Sequence, residues 1–121
     1  MFKKCIKCNH LVYVIKDSNG ISCCGNEMKE LTPNSVDASF EKHVPKMEII
    51  NEKLRVIVNH VMEDDHYIEW IAQETENEII IKKLNPGIDA IVEFNNIDNC
   101  KIYSYCNKHG LWVNSQENKD N

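Results

Sequence analysis

The sequence predicts a mostly β protein, built as a small metal-stapled N-terminal hairpin module followed by an antiparallel β-sandwich. Three observations carry this. Four of the six cysteines fall within the first 32 residues. Beyond Thr32-Pro33-Asn34-Ser35 the apolar residues come in short runs separated by turn residues. No segment longer than ten residues shows the 3.6-residue period of a helix. A chain of 121 residues has room for one ordinary domain, or for a small domain plus a module of about 30 residues that needs a staple. With 42% hydrophobic and 27% charged residues, a packed core is expected.

The elements follow in order. In the module, residues 11–15 and 20–22 are expected to form a small hairpin between two cysteine loops. The boundary lies at residues 32–35, where Pro33 disfavours helix before it and the composition is polar. This divides the chain into a metal domain over 1–34 and a second domain over 35–121. Strands at 47–50 and 54–59 flank Asn51-Glu52-Lys53 and predict a hairpin. Residues 67–74 alternate Ile68, Trp70 and Ala72 on one face. The isoleucine-rich run 78–84 ends at Asn85-Pro86-Gly87, a turn signal. Strands at 90–94 and 100–106 are separated by Asn95-Asn96-Ile97-Asp98-Asn99, and 111–114 is a last short strand. Six or seven short strands at this spacing predict a sandwich. The polar tail 115–121 is expected to be disordered.

Composition excludes several functions. The formal charge is −5, so a basic nucleic-acid footprint is absent. No apolar run approaches the ~20 residues that span a bilayer. The N-terminal apolar run, residues 11–15, is too short for a signal peptide, which predicts a cytoplasmic protein. Clustered cysteines in that compartment point to metal or redox chemistry rather than disulfides. An anionic substrate would need a local positive site to be drawn in.

The N-terminal cysteines read Cys5-x2-Cys8, fourteen residues, then Cys23-Cys24. Four thiolates on two short loops can enclose one tetrahedral ion. A module this short cannot bury enough core to fold alone, so the metal is expected to supply much of its stability. Zinc is the plainer reading, although ribbon modules repeat the Cys-x2-Cys knuckle and the second pair here is adjacent. Two sulfurs from consecutive residues should distort the tetrahedron. His10, beside the first knuckle, is given no role.

His43, His60, His66 and His109 stand in Glu41-Lys42-His43-Val44-Pro45, His60-x5-His66 and Cys106-x2-His109-Gly110. On a straight strand His60 and His66 would be ~20 Å apart. They can share an ion only if residues 61–65 turn back, which their acidic composition permits. Cys106-x2-His109 before a glycine is ordinary metal-loop spacing. Spacing alone leaves three readings open: unrelated surface or core histidines, a zinc site on Cys106, His109 and two other histidines, or a site with four histidines.

Cys-x2-Cys followed by Cys23-Cys24-Gly25 resembles desulforedoxin and the N-terminal domain of desulfoferrodoxins, with a gap one residue shorter than usual. Glu41 to Pro45, His60-x5-His66 with Ile68-Glu69-Trp70, the turn Leu84-Asn85-Pro86-Gly87, and Tyr105-Cys106-Asn107-x-His109-Gly110-x-Trp112 resemble the superoxide reductase family over nearly the whole chain. The departures are Val61, where the family often has proline, and Cys100, which matches no motif and reads as a buried apolar residue.

The resemblance implies an immunoglobulin-like sandwich and two irons per chain. One is held by Cys5, Cys8, Cys23 and Cys24, where zinc could substitute. The other is held by four equatorial nitrogens from His43, His60, His66 and His109 and the axial sulfur of Cys106. Five ligands favour iron with one open position over four-coordinate zinc, and an axial thiolate pushes electron density toward that position. The implied activity is one-electron reduction of superoxide to hydrogen peroxide without oxygen release. Lys42 would attract the anion and Glu41 would help displace product. Rubredoxin is the implied electron donor and a homodimer the implied assembly. The competing reading is a non-catalytic iron- or zinc-binding module that serves as a redox or metal sensor.

Overall fold

The computed structural model describes residues 1–116, and all but the first two residues of the predicted tail lie outside that range. The chain divides into two compact units, Met1–Thr32 and Pro33–Asn121. This break is two residues earlier than the sequence suggests, and Asn34 supplies the reason. Its backbone N–H donates to the Leu111 carbonyl (3.0 Å). Its side chain donates to the Val113 carbonyl (3.2 Å) and accepts from the Val113 N–H (2.9 Å).

The first unit holds β1 (Phe2–Lys4), β2 (Leu11–Tyr13), β3 (Ser22–Cys23), β4 (Asn26–Glu27) and β5 (Lys29–Glu30). They form a sheet of order β2-β1-β5 and a ribbon β3-β4. The expected hairpin between residues 11–15 and 20–22 does not form: Leu11 pairs with Lys4 and Tyr13 with Phe2. The first cysteine loop reverses the chain instead. Asn9, at φ 66°, donates to the Cys5 carbonyl, and the Cys5 N–H donates to the His10 carbonyl. The second pair also sits at a reversal. Cys24 (φ 53°) and Gly25 (φ 77°) are both left-handed, as a two-residue hairpin turn between paired Cys23 and Asn26 requires. Phe2, Val14 and Met28 are buried, and the buried Lys3 ammonium is neutralised by Asp17 at 3.2 Å.

The second unit holds a short helix α1 (Phe40–His43) and seven strands: β6 (Lys46–Ile50), β7 (Lys53–Val58), β8 (Ile68–Glu74), β9 (Ile79–Lys83), β10 (Ala90–Asn95), β11 (Cys100–Cys106) and β12 (Gly110–Gln116). They form two sheets, β10-β7-β6 and β12-β11-β8-β9, in which every pairing is antiparallel. Strands one, two and five make one sheet; three, six and seven, with an extra edge strand, make the other. This is the immunoglobulin-like arrangement. β7 buries Leu54, Val56 and Val58 at every second position, and these meet Phe94, Ile68, Ile71, Ile102 and Cys100 in one core. Cys100 is fully buried, as expected.

Three details differ from the sequence reading. Ile68 does not share a face with Trp70 and Ala72. The register of β8 on β11 slips by one residue, from Trp70↔Tyr105 to Ile68↔Cys106, so Ile68 joins Ile71 in the core. β12 continues through Ser115 and Gln116, which pair with Lys101 and Cys100, so the first two residues of the predicted tail are strand. The four-residue α1, too short to show a period, is ended by Pro45.

Candidate metal centres

The second unit brings His43, His60, His66, Cys106 and His109 together, with ligand atoms all within 4.8 Å of one another. α1 presents His43, whose Nδ1 lies 2.7 Å from the Ser39 carbonyl, so that Nε2 points inward. Trp112 stacks on the His43 ring at 4.8 Å, and Ser104 donates to the His43 carbonyl at 2.6 Å. His60 is oriented in the same way by the Val61 carbonyl at its Nδ1.

Residues 61–65 do turn back. Glu63 and His66 exchange backbone hydrogen bonds (3.0 and 3.1 Å), so Asp64 and Asp65 form the tip and the His60 and His66 rings come within 4.6 Å. Gly87, left-handed in the Asn85-Pro86-Gly87 turn, donates to the Met62 carbonyl and supports this loop. Cys106 ends β11 at the register slip. The three-residue turn Asn107-Lys108-His109 then returns through left-handed Gly110 into β12.

Asn107 joins the two loops. Its Oδ1 accepts from the Tyr67 N–H (3.0 Å) and its Nδ2 donates to the Asp65 carbonyl (2.9 Å).

The rings form a circuit: His43 to His60, His60 to His66, His66 to His109 and His109 to His43, with centroids 4.6–5.2 Å apart and interplanar angles of 65–89°. Three residues turn Nε2 inward and His109 turns Nδ1: His109 Nδ1 lies 3.1 Å from His43 Nε2. Cys106 Sγ lies 3.5 Å from His60 Nε2 and 3.8 Å from His109 Nδ1. Fully buried, Cys106 closes the inner side.

The outer side opens into a cavity of about 420 Å³ lined by the four histidines, Lys42, Asp37 and Glu63 among others. Glu41 is exposed and is not among the lining residues. Asp37 and Glu63 carry no sequence signal, because isolated acidic residues in polar loops are ordinary.

The donor set fits a metal ion on its own chemistry. His66 Nε2 is buried without a hydrogen-bond partner, which costs about 1–3 kcal/mol unless something else satisfies it. Burial holds His43, His60 and His66 below the ordinary histidine pKa, so their lone pairs are free at neutral pH. Four nitrogens, one sulfur and an open face fit iron better than a closed four-coordinate zinc site.

The first unit likewise gathers Cys5, Cys8, Cys23 and Cys24 within 4.8 Å. Backbone N–H groups of Cys8 and Lys7 bring the Cys5 thiol down to about 6, whereas hydrogen bonds with Cys8 and Cys5 push Cys23 up to about 12. The metal-free cluster thus keeps protons that a bound ion would displace. Four sulfurs suit iron or zinc.

A family model described as Desulfoferrodoxin matches residues 35–115. The chain is 39% identical over 114 residues to a desulfoferrodoxin homolog of Archaeoglobus fulgidus, covering 90% of this chain and 91% of that one. It is 37% identical over 114 residues to a desulfoferrodoxin of Nitratidesulfovibrio vulgaris, covering 90% of each. Among solved structures, the superoxide reductase of Treponema pallidum superposes with a TM-score of 0.72 at 25% identity, over 94% of this chain and 98% of that one. The one-iron superoxide reductase of Giardia intestinalis superposes with a TM-score of 0.54 at 25% identity, over 64% of this chain and 99% of that one.

Proposed function

The chain belongs to the desulfoferrodoxin family, and from that premise we propose that it is a superoxide reductase. In this reading one superoxide, one electron and two protons give one hydrogen peroxide, and no oxygen is released. The observation that carries it is the circuit of four histidines, backed by the buried Cys106 sulfur and open on its other face to a 420 Å³ cavity. An iron ion bound there would supply the electron and a Lewis-acidic face.

The chain's own residues do the rest. His43, His60, His66, His109 and Cys106 would hold such an ion, and the cavity side would stay free for a small ligand. Lys42 lies on the cavity wall that His43 and His60 also line. It offsets the acidic Asp37 and Glu63 and provides the attraction that a chain of net charge −5 lacks. Glu41, one residue further from His43 and exposed, would reach the site only by turning inward, the movement its product-displacing role requires.

The four-cysteine cluster of the first unit is read as a further iron centre, with zinc as the substitute that four sulfurs also accept. A small electron-transfer protein such as rubredoxin is the proposed donor, and a homodimer the proposed assembly. No helix among the described residues is long and apolar enough to cross a membrane.

The test is anaerobic reduction of iron-loaded protein followed by pulse-generated superoxide. One equivalent of peroxide per ferrous site, with no oxygen, is expected. Oxygen release would make the protein a dismutase. Absence of reaction, or a colourless zinc protein from iron-replete cells, would favour the metal-binding module.

A further inference from the structure

His10 is the one histidine that neither donor set includes. It stands two residues beyond Cys8 at the end of the loop that reverses the chain, and its backbone is tied there by the Cys5 N–H on its carbonyl at 2.9 Å. Its Nδ1 lies 3.4 Å from Cys8 Sγ and 3.6 Å from Cys23 Sγ, and those two sulfurs are 3.4 Å apart. The ring nitrogen therefore spans the edge of the cluster that joins the two cysteine loops.

With an ion bound, the four sulfurs are thiolates and offer only lone pairs. A ring nitrogen facing two of them is held by attraction only when it carries the hydrogen. His10 is also outside the set of atoms within mutual reach of one ion, and four sulfurs already complete a tetrahedron. The geometry thus describes a donor to the ligands rather than a fifth ligand.

We propose that the His10 Nδ1–H donates a shared hydrogen bond to the Cys8 and Cys23 thiolates and so raises the reduction potential of an iron held by the four cysteines. This rests on the iron reading of that cluster. Ferric iron with four thiolates has a net charge of −1 and ferrous iron −2, so reduction adds one electron and no proton. The added charge spreads onto the sulfurs, where a hydrogen bond to a charged acceptor is stronger. Hydrogen bonds to sulfur are among the established controls of iron–thiolate potentials.

The experiment is a redox titration of the full, iron-loaded chain, followed at the sulfur-to-iron charge-transfer band of this centre. Wild type is compared with His10→Asn, whose side-chain amide places an N–H near the Nδ1 position, and His10→Leu, which has none. In His10→Leu the ferrous-to-ferric ratio at a fixed ambient potential should fall about tenfold, equivalent to about 59 mV for a one-electron couple. The ferric band should move to lower energy. His10→Asn should keep the wild-type potential within about a factor of two in that ratio, and the potential of the histidine-ligated centre should be the same in all three proteins.

An iron-bound His10→Leu protein with unmoved potential and band would overturn the proposal. So would equal displacements in the leucine and asparagine proteins, because the imidazole's bulk and not its N–H would then be responsible. Failure of the four cysteines to take up iron is a separate result: it overturns the iron reading of the cluster and removes this inference with it.

Discussion

Cys106 is the one sulfur in the candidate donor set of the second unit, and it is buried and does not line the cavity. Its replacement is therefore a test with a spectroscopic signature. Cys106→Ser should remove the sulfur-to-iron charge-transfer band of this centre while leaving that of the four-cysteine cluster. It should also abolish most superoxide reduction. A serine protein with an unchanged spectrum and full activity would refute the assignment. Lys42 is tested by rate. Exposed charges act over a Debye length of ~8 Å at physiological salt, so only groups at the cavity mouth can steer an anion. Lys42 is on that wall, which the acidic Asp37 and Glu63 also line. Lys42→Ala should slow the second-order reaction with superoxide roughly tenfold and flatten its salt dependence, while Lys42→Arg keeps most of the rate. Rates measured at several ionic strengths decide it. That His43, His60, His66, Cys106 and His109 gather, with Lys42 on the cavity wall, was an expectation of the family resemblance, since spacing alone left three readings open. His10's approach to Cys8 and Cys23 was not legible in the sequence, because it depends on the left-handed Asn9 that turns β2 back onto β1.

At the scale of elements, β11 and the loops at its end do most of the positioning. The bounds of β11, Cys100–Cys106, coincide with the sequence reading, since an apolar run bounded by asparagines marks a strand without help from tertiary contacts. The register slip beside Cys106 left no such mark: it depends on which residues of β8 face β11. The Asn107 clamp was hidden for a similar reason, because its partners Asp65 and Tyr67 are forty or so residues away in sequence. Asn107→Ala should strand the Tyr67 N–H and cost about 1–3 kcal/mol of stability. Because the clamp fixes His66 relative to Cys106, the iron spectrum should broaden or shift as well. Asn107→Asp, which retains the acceptor for Tyr67, should lie between; denaturant melts and absorption spectra of the three proteins check the order. Tyr103, on the same strand, is pushed up to about 12 by burial and then by the Glu74 carboxylate, against an ordinary value of 10.0. Below pH 10 it is neutral in both folded and unfolded chains and has no effect. Between 10 and about 12 the unfolded chain loses the proton and the folded one keeps it, so stability falls as pH rises through that window. Tyr103→Phe should therefore unfold at a higher pH than wild type in an alkaline titration.

For the whole molecule, the two donor sets fall on opposite sides of the break at Thr32–Pro33 and share no residue. The first unit has three sizeable buried apolar side chains, Phe2, Val14 and Met28, besides Cys5. Residue ordering costs on the order of 1 kcal/mol or more per residue, so a unit of this size is not held by such a core alone, and an ion bound by the four cysteines would contribute. The second unit has a core drawn from both of its sheets, and its donors come from α1, the 60–66 loop and the β11–β12 turn, all within it. The sequence marked this division through composition, four cysteines before Pro33 and alternating strands after it. It misplaced Asn34, whose attachment to Leu111 and Val113 spans nearly the whole second unit. That attachment dictates where to cut. A chain beginning at Pro33 retains Asn34 and both strands it clamps. It should fold, bind one iron, show the charge-transfer band of the Cys106 centre and react with superoxide at a rate within a few-fold of the full chain. A chain beginning at Val36 loses the clamp on β12 and should melt at lower temperature, with the same spectrum while folded. If the Pro33 chain folds, by its circular dichroism and cooperative melt, yet binds no iron, the second centre depends on the first unit and the two-centre reading fails. Chelation of the full chain gives the converse: stripping the four-cysteine ion should unfold residues before Pro33, seen as rapid proteolysis there, while the sandwich stays intact.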